Sequence, residues 1–167
     1  MIPYEYRPTP EKRKEKLLTA LLFSVAILFF AGSYLPEIPV PWAFQSVAVG
    51  ALGGCIYLVS RYLSRSFSYR VEDSSYGDFT DLIIVEKIGK KTRTVCRIAV
   101  SDVQNVERLT RENRKPLLEK TKKSRVYQYH AQMEPTDHYL LTFLENEESS
   151  YLLISADQAL IDRISPL

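Results

Sequence analysis

Two apolar runs constrain this chain more than any other feature of its sequence. The first covers residues 17–35, and the second begins at Trp42 and ends at Ser60; each has 19 residues and no charged side chain. A helix rises by about 1.5 Å per residue, so a run of this length is about 28 Å long, close to the hydrocarbon thickness of a bilayer. The sequence therefore predicts two membrane-spanning helices, over residues 17–35 and 42–61.

The segment between the runs, together with the charges on their flanks, predicts how the helices are oriented. Residues 36–41 include three prolines and no Lys or Arg, which predicts a tight extracytoplasmic turn. Basic residues flank the other ends of the runs: Arg7, Lys12, Arg13, Lys14, Lys16, Arg61, Arg65 and Arg70. By the positive-inside rule we expect a multi-pass protein with residues 1–16 and the C-terminus in the cytoplasm.

A cleaved signal peptide is the alternative interpretation of the first run. Ala31, Gly32 and Ser33 resemble a cleavage site. The run is nevertheless longer than the roughly 7–15 apolar residues of a signal peptide, and a second run follows at once. We therefore favour the hairpin.

The second run carries small residues on one helical face. Ser46, Gly50 and Gly54 are spaced by four, and small residues at this spacing let helix backbones approach closely in a membrane. Two interpretations stay open. The face packs against the first helix of the same chain, or it contacts another protein, either a second copy in a homo-oligomer or a larger membrane complex.

From residue 66 onward the pattern changes to a period of two, which is typical of strands. Ser155 and Gln158 fit a capping box that starts a final amphipathic helix, ending near residue 164. Strands that bend into a barrel, with a helix over one end, leave few exposed edges. The pattern predicts about seven short antiparallel strands, over residues 67–71, 82–88, 92–100, 102–109, 126–133, 139–145 and 150–154.

This region resembles the pleckstrin-homology (PH) superfold, and with the preceding hairpin it is similar to bacterial membrane-anchored PH-like proteins. The resemblance covers residues 67–164 and is carried by the basic hairpin IGKK at 88–91, the segment IAVSDV at 98–103 and the capped last helix. It implies a bacterial inner-membrane protein in which the two-helix transmembrane hairpin is followed by a mainly-β PH-like barrel over residues 66–167. The barrel would bind a protein or a lipid headgroup without catalysis. The chain departs from phosphoinositide-binding PH domains, whose basic pocket is fuller than one Lys-Lys pair.

A basic segment over residues 108–125 is the main candidate binding site. It holds eight basic and two acidic residues, whereas the whole region 66–167 holds 15 basic and 16 acidic residues. Near an anionic membrane each Lys or Arg contributes up to about 1 kcal/mol of favourable binding free energy. A solvated loop and a surface for an acidic protein are the alternatives, and nucleic acid is not expected because interleaved aromatic residues are missing. The candidate binding residues are Arg111, Arg114, Lys115, Lys120, Lys122, Lys123 and Arg125.

The residue types of common catalytic and metal sites are scarce. His130 and His138 are the only histidines, and Cys96 has no paired cysteine at metal-binding spacing, so we interpret them as surface or rim histidines and a core cysteine. Neither apolar run contains an ionisable residue of the kind that marks a transport pathway. An enzyme acting on lipid or peptidoglycan precursors would need a polar cluster near the membrane, and the sequence suggests none. We therefore expect no enzyme, no cofactor and no metal.

Overall fold

The computed structural model describes residues 3–9, 11–36, 40–74, 77, 79–110, 112–121, 124–133, 137–145 and 148–165. The chain forms two compact units. The helical unit consists of Glu11–Arg65 and Ala131–Met133, and the β unit consists of Met1–Pro10, Ser66–His130 and Glu134–Leu167.

The helical unit is a pair of antiparallel helices. Helix α1 spans Arg13–Gly32, and helix α2 spans Pro41–Leu58 and continues into a π-helical turn at Val59–Leu63. Both helices are long and apolar enough to cross a membrane. Proline at the first position of α2 fits its role as a helix start, because an N-terminal residue has no N–H partner to lose.

Lys12 caps the end of the second helix. Its Nζ donates to the backbone carbonyl oxygens of Tyr62 at 2.5 Å, Leu63 at 3.3 Å and Arg65 at 2.7 Å. The carbonyls at a helix end have no partner within the helix, and an ammonium there also opposes the negative end of the helix dipole. Lys12 therefore joins the start of α1 to the end of α2.

The described residues of the β unit form eight strands in two four-stranded sheets. The first sheet has the order β1 (Tyr4–Tyr6), β2 (Arg65–Asp73), β3 (Thr80–Ile88) and β4 (Lys91–Ala99). The second sheet has the order β5, β7, β8 and β6. Its strands are β5 (Val103–Leu109), β6 (Val126–Tyr129), β7 (His138–Glu145) and β8 (Glu148–Ser155). Helix α3 (Arg114–Lys120) lies between β5 and β6 in sequence, and helix α4 (Gln158–Ile164) follows β8.

Tyr69 links the two sheets at the centre of the core. It lies on β2, and its buried hydroxyl donates to the carbonyl oxygen of Tyr129 on β6 at 2.5 Å and accepts the N–H of Ser155 on β8 at 3.2 Å. Burial raises the pKa of the Tyr69 phenol, so it stays protonated and able to donate. The other large, fully buried side chains of the β unit come from both sheets and from α4: Val71, Leu82, Ile84, Leu141, Leu152, Ile154, Leu160 and Ile164.

The predicted barrel is wrong for the described residues, because the strands form two sheets and do not close into one. At the seam between β4 and β6, the edge strands of the two sheets, the Tyr129 hydroxyl donates to the Val95 carbonyl oxygen at 3.3 Å. Val95 is the extra residue at a register shift in the β3–β4 ladder, opposite Ile84 and Val85. A bulge of this kind bends an edge strand away from further pairing.

The prediction of uniformly antiparallel strands is also wrong, because β6 pairs with β8 in parallel. Strands β7 and β8 form an antiparallel hairpin, and β6 lies beside β8. Strands β6, β7 and β8 follow one another in the chain and alternate in direction, so β6 and β8 run in the same direction. Because β6 pairs with β8 and not with β7, this pair is parallel. The sequence pattern also does not predict β1, whose three residues pair with β2.

The end of one predicted strand and the cap of the last helix differ from the structure. The strand expected over 126–133 ends at Tyr129, and the Met133 N–H instead donates to the buried carboxylate of Glu15 at 2.8 Å. The helix cap is Asp157, whose Oδ1 accepts the Leu160 N–H at 2.9 Å, and not Ser155. Ser155 pairs in β8, so its backbone is not available to start the helix.

Tyr69→Phe should destabilise the β unit by about 1–3 kcal/mol, because it leaves the buried Ser155 N–H and Tyr129 carbonyl without their partner. The measurement is urea unfolding of the full chain in non-ionic detergent, followed by the near-UV circular dichroism of tyrosine. Tyr151→Phe is the matched control, since no hydrogen bond of the Tyr151 hydroxyl occurs among the described residues. Equal losses in the two variants would contradict the role of Tyr69.

Candidate functional site

The basic segment contains a helix packed on the second sheet. Leu117 on α3 is buried in a cluster with Leu109, Leu140 and Leu153, and Tyr151 packs against this cluster. Apolar burial of this kind stabilises by about 1.5–3 kcal/mol per large side chain. The middle of the segment is therefore a packed helix and not a solvated loop.

A polar turn sets the start of α3. The Asn113 Oδ1 accepts the Thr110 N–H at 2.7 Å, the Thr110 hydroxyl accepts the Asn113 N–H at 3.3 Å, and the Asn113 Nδ2 donates to the Arg108 carbonyl at 2.9 Å. Asn and Thr favour such local bonds between side chain and backbone. The sequence offers this Thr-x-x-Asn signal, but the run of charges around it hides it.

Three of the candidate basic residues are exposed on the described surface. Arg114 and Lys115 are exposed on α3 and Arg125 is exposed before β6; none of the three makes an ion pair in the described part of the chain. The Tyr151 N–H donates to the Arg125 carbonyl at 2.9 Å, and Tyr151 also packs against the cluster that holds Leu117 of α3. Arg111, Lys122 and Lys123 lie outside the described residues. For Lys120 the backbone is described and the side chain is not.

The small residues of α2 lie in different environments. A Cβ at Gly54 would lie 3.2 Å from the Leu22 Cδ1 of α1, so Gly54 serves packing within the chain. A Cβ at Gly50 would meet nothing within 4 Å. Ser46 is exposed, and its hydroxyl donates to the Trp42 carbonyl at 2.9 Å. The structure therefore does not bring the three predicted residues into one contact.

The two histidines are buried against each other, so their interpretation as surface or rim residues is wrong. His130 is 7% exposed and His138 is 3% exposed, and their ring centroids lie 4.4 Å apart in a perpendicular arrangement. Burial, followed by His130 and by Arg114, lowers the pKa of His138 to about 3. His138 is therefore neutral at physiological pH. Among the described residues, no group of three or more His, Cys, Asp or Glu is arranged to hold a metal ion.

Cys96 lies half-buried on β4. Burial, followed by the charge of Glu145, raises the pKa of the thiol to about 11. A protonated thiol is a weak nucleophile and a weak metal ligand. Its environment is consistent with the packing role expected from the sequence.

Comparison with known proteins adds no relative: no family model, curated protein or solved structure matches this chain. The class is therefore defined by the fold alone. Two helices long and apolar enough to span a membrane precede a mainly-β region of two sheets and a C-terminal helix.

Gly54→Leu should destabilise the helix pair by about 1–3 kcal/mol, because the added side chain overlaps Leu22. Gly50→Leu adds the same atoms into open space and is the matched control, with little expected effect on the same chain. Thermal unfolding of the full chain in detergent, followed by helical circular dichroism, measures both. A larger loss in Gly50→Leu would contradict the assignment of Gly54 to the contact with α1.

Acid should destabilise the β unit through His138. The pKa is about 3 when folded and near the ordinary 6.5 when unfolded, so the unfolded state binds more protons between these values. The contribution of neutral His138 to the free energy of unfolding is fully present above pH 6.5 and decreases as the pH is lowered. At pH 5 the loss is about 1–2 kcal/mol. Urea midpoints of the full chain in detergent at pH 7 and pH 5 measure the loss, and His138→Gln should show a smaller one. The same pH dependence in both proteins would contradict the prediction.

Proposed function

We propose that this protein is a bacterial inner-membrane protein with a cytoplasmic PH-like domain that acts as a non-catalytic module binding a protein or a lipid headgroup. In this proposal α1 and α2 form the transmembrane hairpin, and both termini are in the cytoplasm. The observation that carries the proposal is the apolar surface that the helix pair leaves uncovered.

The uncovered surface runs along both helices. Leu28 on α1 and Trp42 on α2 are each 69% exposed, and Ile56 is 67% exposed. Soluble proteins rarely expose a contiguous apolar patch larger than a few hundred Å², because each Å² in water costs about 25 cal/mol. Helices bond their own backbone groups, so their apolar side chains can face lipid without loss. A bilayer is the environment that fits this surface.

The charges beside the helices support the proposed orientation. Arg13, Lys14 and Lys16 lie in the first turns of α1, and Arg61 lies in the π-helical turn after α2. The sequence of the connection, residues 33–40, contains no Lys or Arg, and its one charged residue is Glu37. Translocation of Lys and Arg is disfavoured, so the basic ends are proposed to be cytoplasmic.

The protonation states in the β unit support a binding role over catalysis. A general acid or base works best with a pKa near the operating pH, and a nucleophilic cysteine works as the thiolate. Burial moves the pKa of His138 far below neutrality and that of Cys96 far above it. These residues are consequently suited to packing in the core.

An accessory subunit of a larger membrane complex is the second candidate function. Positions Gly50 and Gly53 on α2 would each accept a Cβ without meeting any atom within 4 Å. Glycines that face open space in a membrane helix leave room for close approach by another helix. Native mass measurement in lipid tests this candidate, because a lone monomer would remove it.

The hairpin proposal is tested by membrane extraction and reporter fusions in a Gram-negative host. The full chain should stay with the membrane in alkaline carbonate, because its apolar helices are held by lipid. Alkaline phosphatase inserted between Pro36 and Val40 should be active, and the same enzyme fused after Leu167 should be inactive. A green fluorescent protein at Leu167 is the control for expression and should fluoresce. Release by carbonate, or an active phosphatase at the C-terminus, would contradict the proposal.

A further inference from the structure

We infer that the basic face of α3, formed by Arg114 and Lys115 together with the neighbouring Arg125, binds the anionic lipid headgroups of the membrane that holds the hairpin. This inference rests on the proposed function and names the ligand class for one surface of its binding module. It begins from three observations: a packed helix, exposed cations that make no ion pair among the described residues, and a short connection to the membrane helices.

The first observation is that α3 is a fixed part of the β unit. Leu117 is buried with Leu109, Leu140 and Leu153, and Asn113 holds the turn before the helix. Long side chains on a fixed helix need little further ordering of the backbone when they bind. The cations on α3 are therefore held by an ordered backbone before a headgroup binds.

The second observation is the charge itself. Arg114, Lys115 and Arg125 are exposed and make no ion pair in the described part of the chain, whereas Arg108 is paired with Asp137 at 2.9 Å. Residues 108–125 carry eight basic and two acidic side chains, which leaves seven basic and 14 acidic in the rest of 66–167. An anionic surface is therefore attracted by this segment and repelled by the rest of residues 66–167.

The third observation is the length of the connection. Ser64 alone separates the π-helical turn, which ends at Leu63, from β2, which begins at Arg65. A short tether keeps the β unit at a high effective concentration near the bilayer. Weak attraction for each cation then suffices for binding, and this condition favours lipid over an acidic protein that must arrive from solution.

The test uses the full chain in lipid nanodiscs and measures amide hydrogen exchange in α3. One set of discs contains phosphatidylcholine alone, and the other contains phosphatidylcholine and phosphatidylglycerol at about 7:3. We expect exchange across Arg114–Lys120 to be about fivefold slower in the anionic discs, because bound headgroups oppose local opening of the helix. Salt at about 0.5 M should remove most of the difference by screening.

Two charge-reversal variants separate this surface from general electrostatics. Arg114→Glu with Lys115→Glu should lose the lipid-dependent slowing and keep wild-type exchange in the neutral discs, which reports an intact fold. Lys90→Glu with Lys91→Glu makes the same change in net charge at the exposed β3–β4 turn, and it should keep the slowing.

The outcomes distinguish this inference from the proposed function. A chain that does not enter nanodiscs contradicts the membrane hairpin itself. A chain that enters them but exchanges equally in both lipids contradicts only the lipid assignment and leaves an acidic protein as the partner. Equal effects of the two variant pairs would also overturn the assignment, because the attraction would then belong to the whole β unit.

Discussion

The uncovered apolar surface of α1 and α2 is the constraint on which the rest of this molecule depends. The two helices bury little of each other: contacts such as Gly54 with Leu22, and Phe29 with Phe44, cover one side of each. The other sides cannot be satisfied by a single copy in water, because the hydrophobic cost grows with the area left exposed. Lys12 closes the base of the pair by donating to the carbonyl oxygens of Tyr62, in the π-helical turn after α2, and of Arg65. The helical unit is thus polar at its base and apolar along the length of its helices.

The β unit meets a different constraint, which is how to join two sheets that do not close. A buried hydroxyl would normally be costly, but Tyr69 uses both its donor and its acceptor and so fixes strands of both sheets in register. At the open seam, the bulge at Val95 and the Tyr129 hydroxyl take the place of ladder hydrogen bonds. The open edge is therefore protected by irregular geometry, which period-two patterning does not encode.

Much of this architecture could be predicted because it depends on local composition. The uncharged runs identified both helices, and the turn residues around Gly89 identified the β3–β4 hairpin, where Gly89 adopts a positive φ of 59°. The missed features depend on contacts far apart in sequence. Strand β1 exists through its pairing with β2, and the end of β6 follows from the bond between Met133 and Glu15. The basic segment was visible as charge, whereas Leu117 could not be recognised as its anchor without the partners on β5, β7 and β8.

Burial of His138 keeps the charge beside Arg114 constant across physiological pH. Arg114 contributes to the lowered pKa of His138, although burial is the larger cause. A neutral His138 adds no positive charge beside Arg114. If an anionic headgroup neutralised Arg114, burial would still hold His138 in its neutral form. The attraction between α3 and an anionic surface would then respond to salt and to lipid charge, and not to the titration of its buried neighbour.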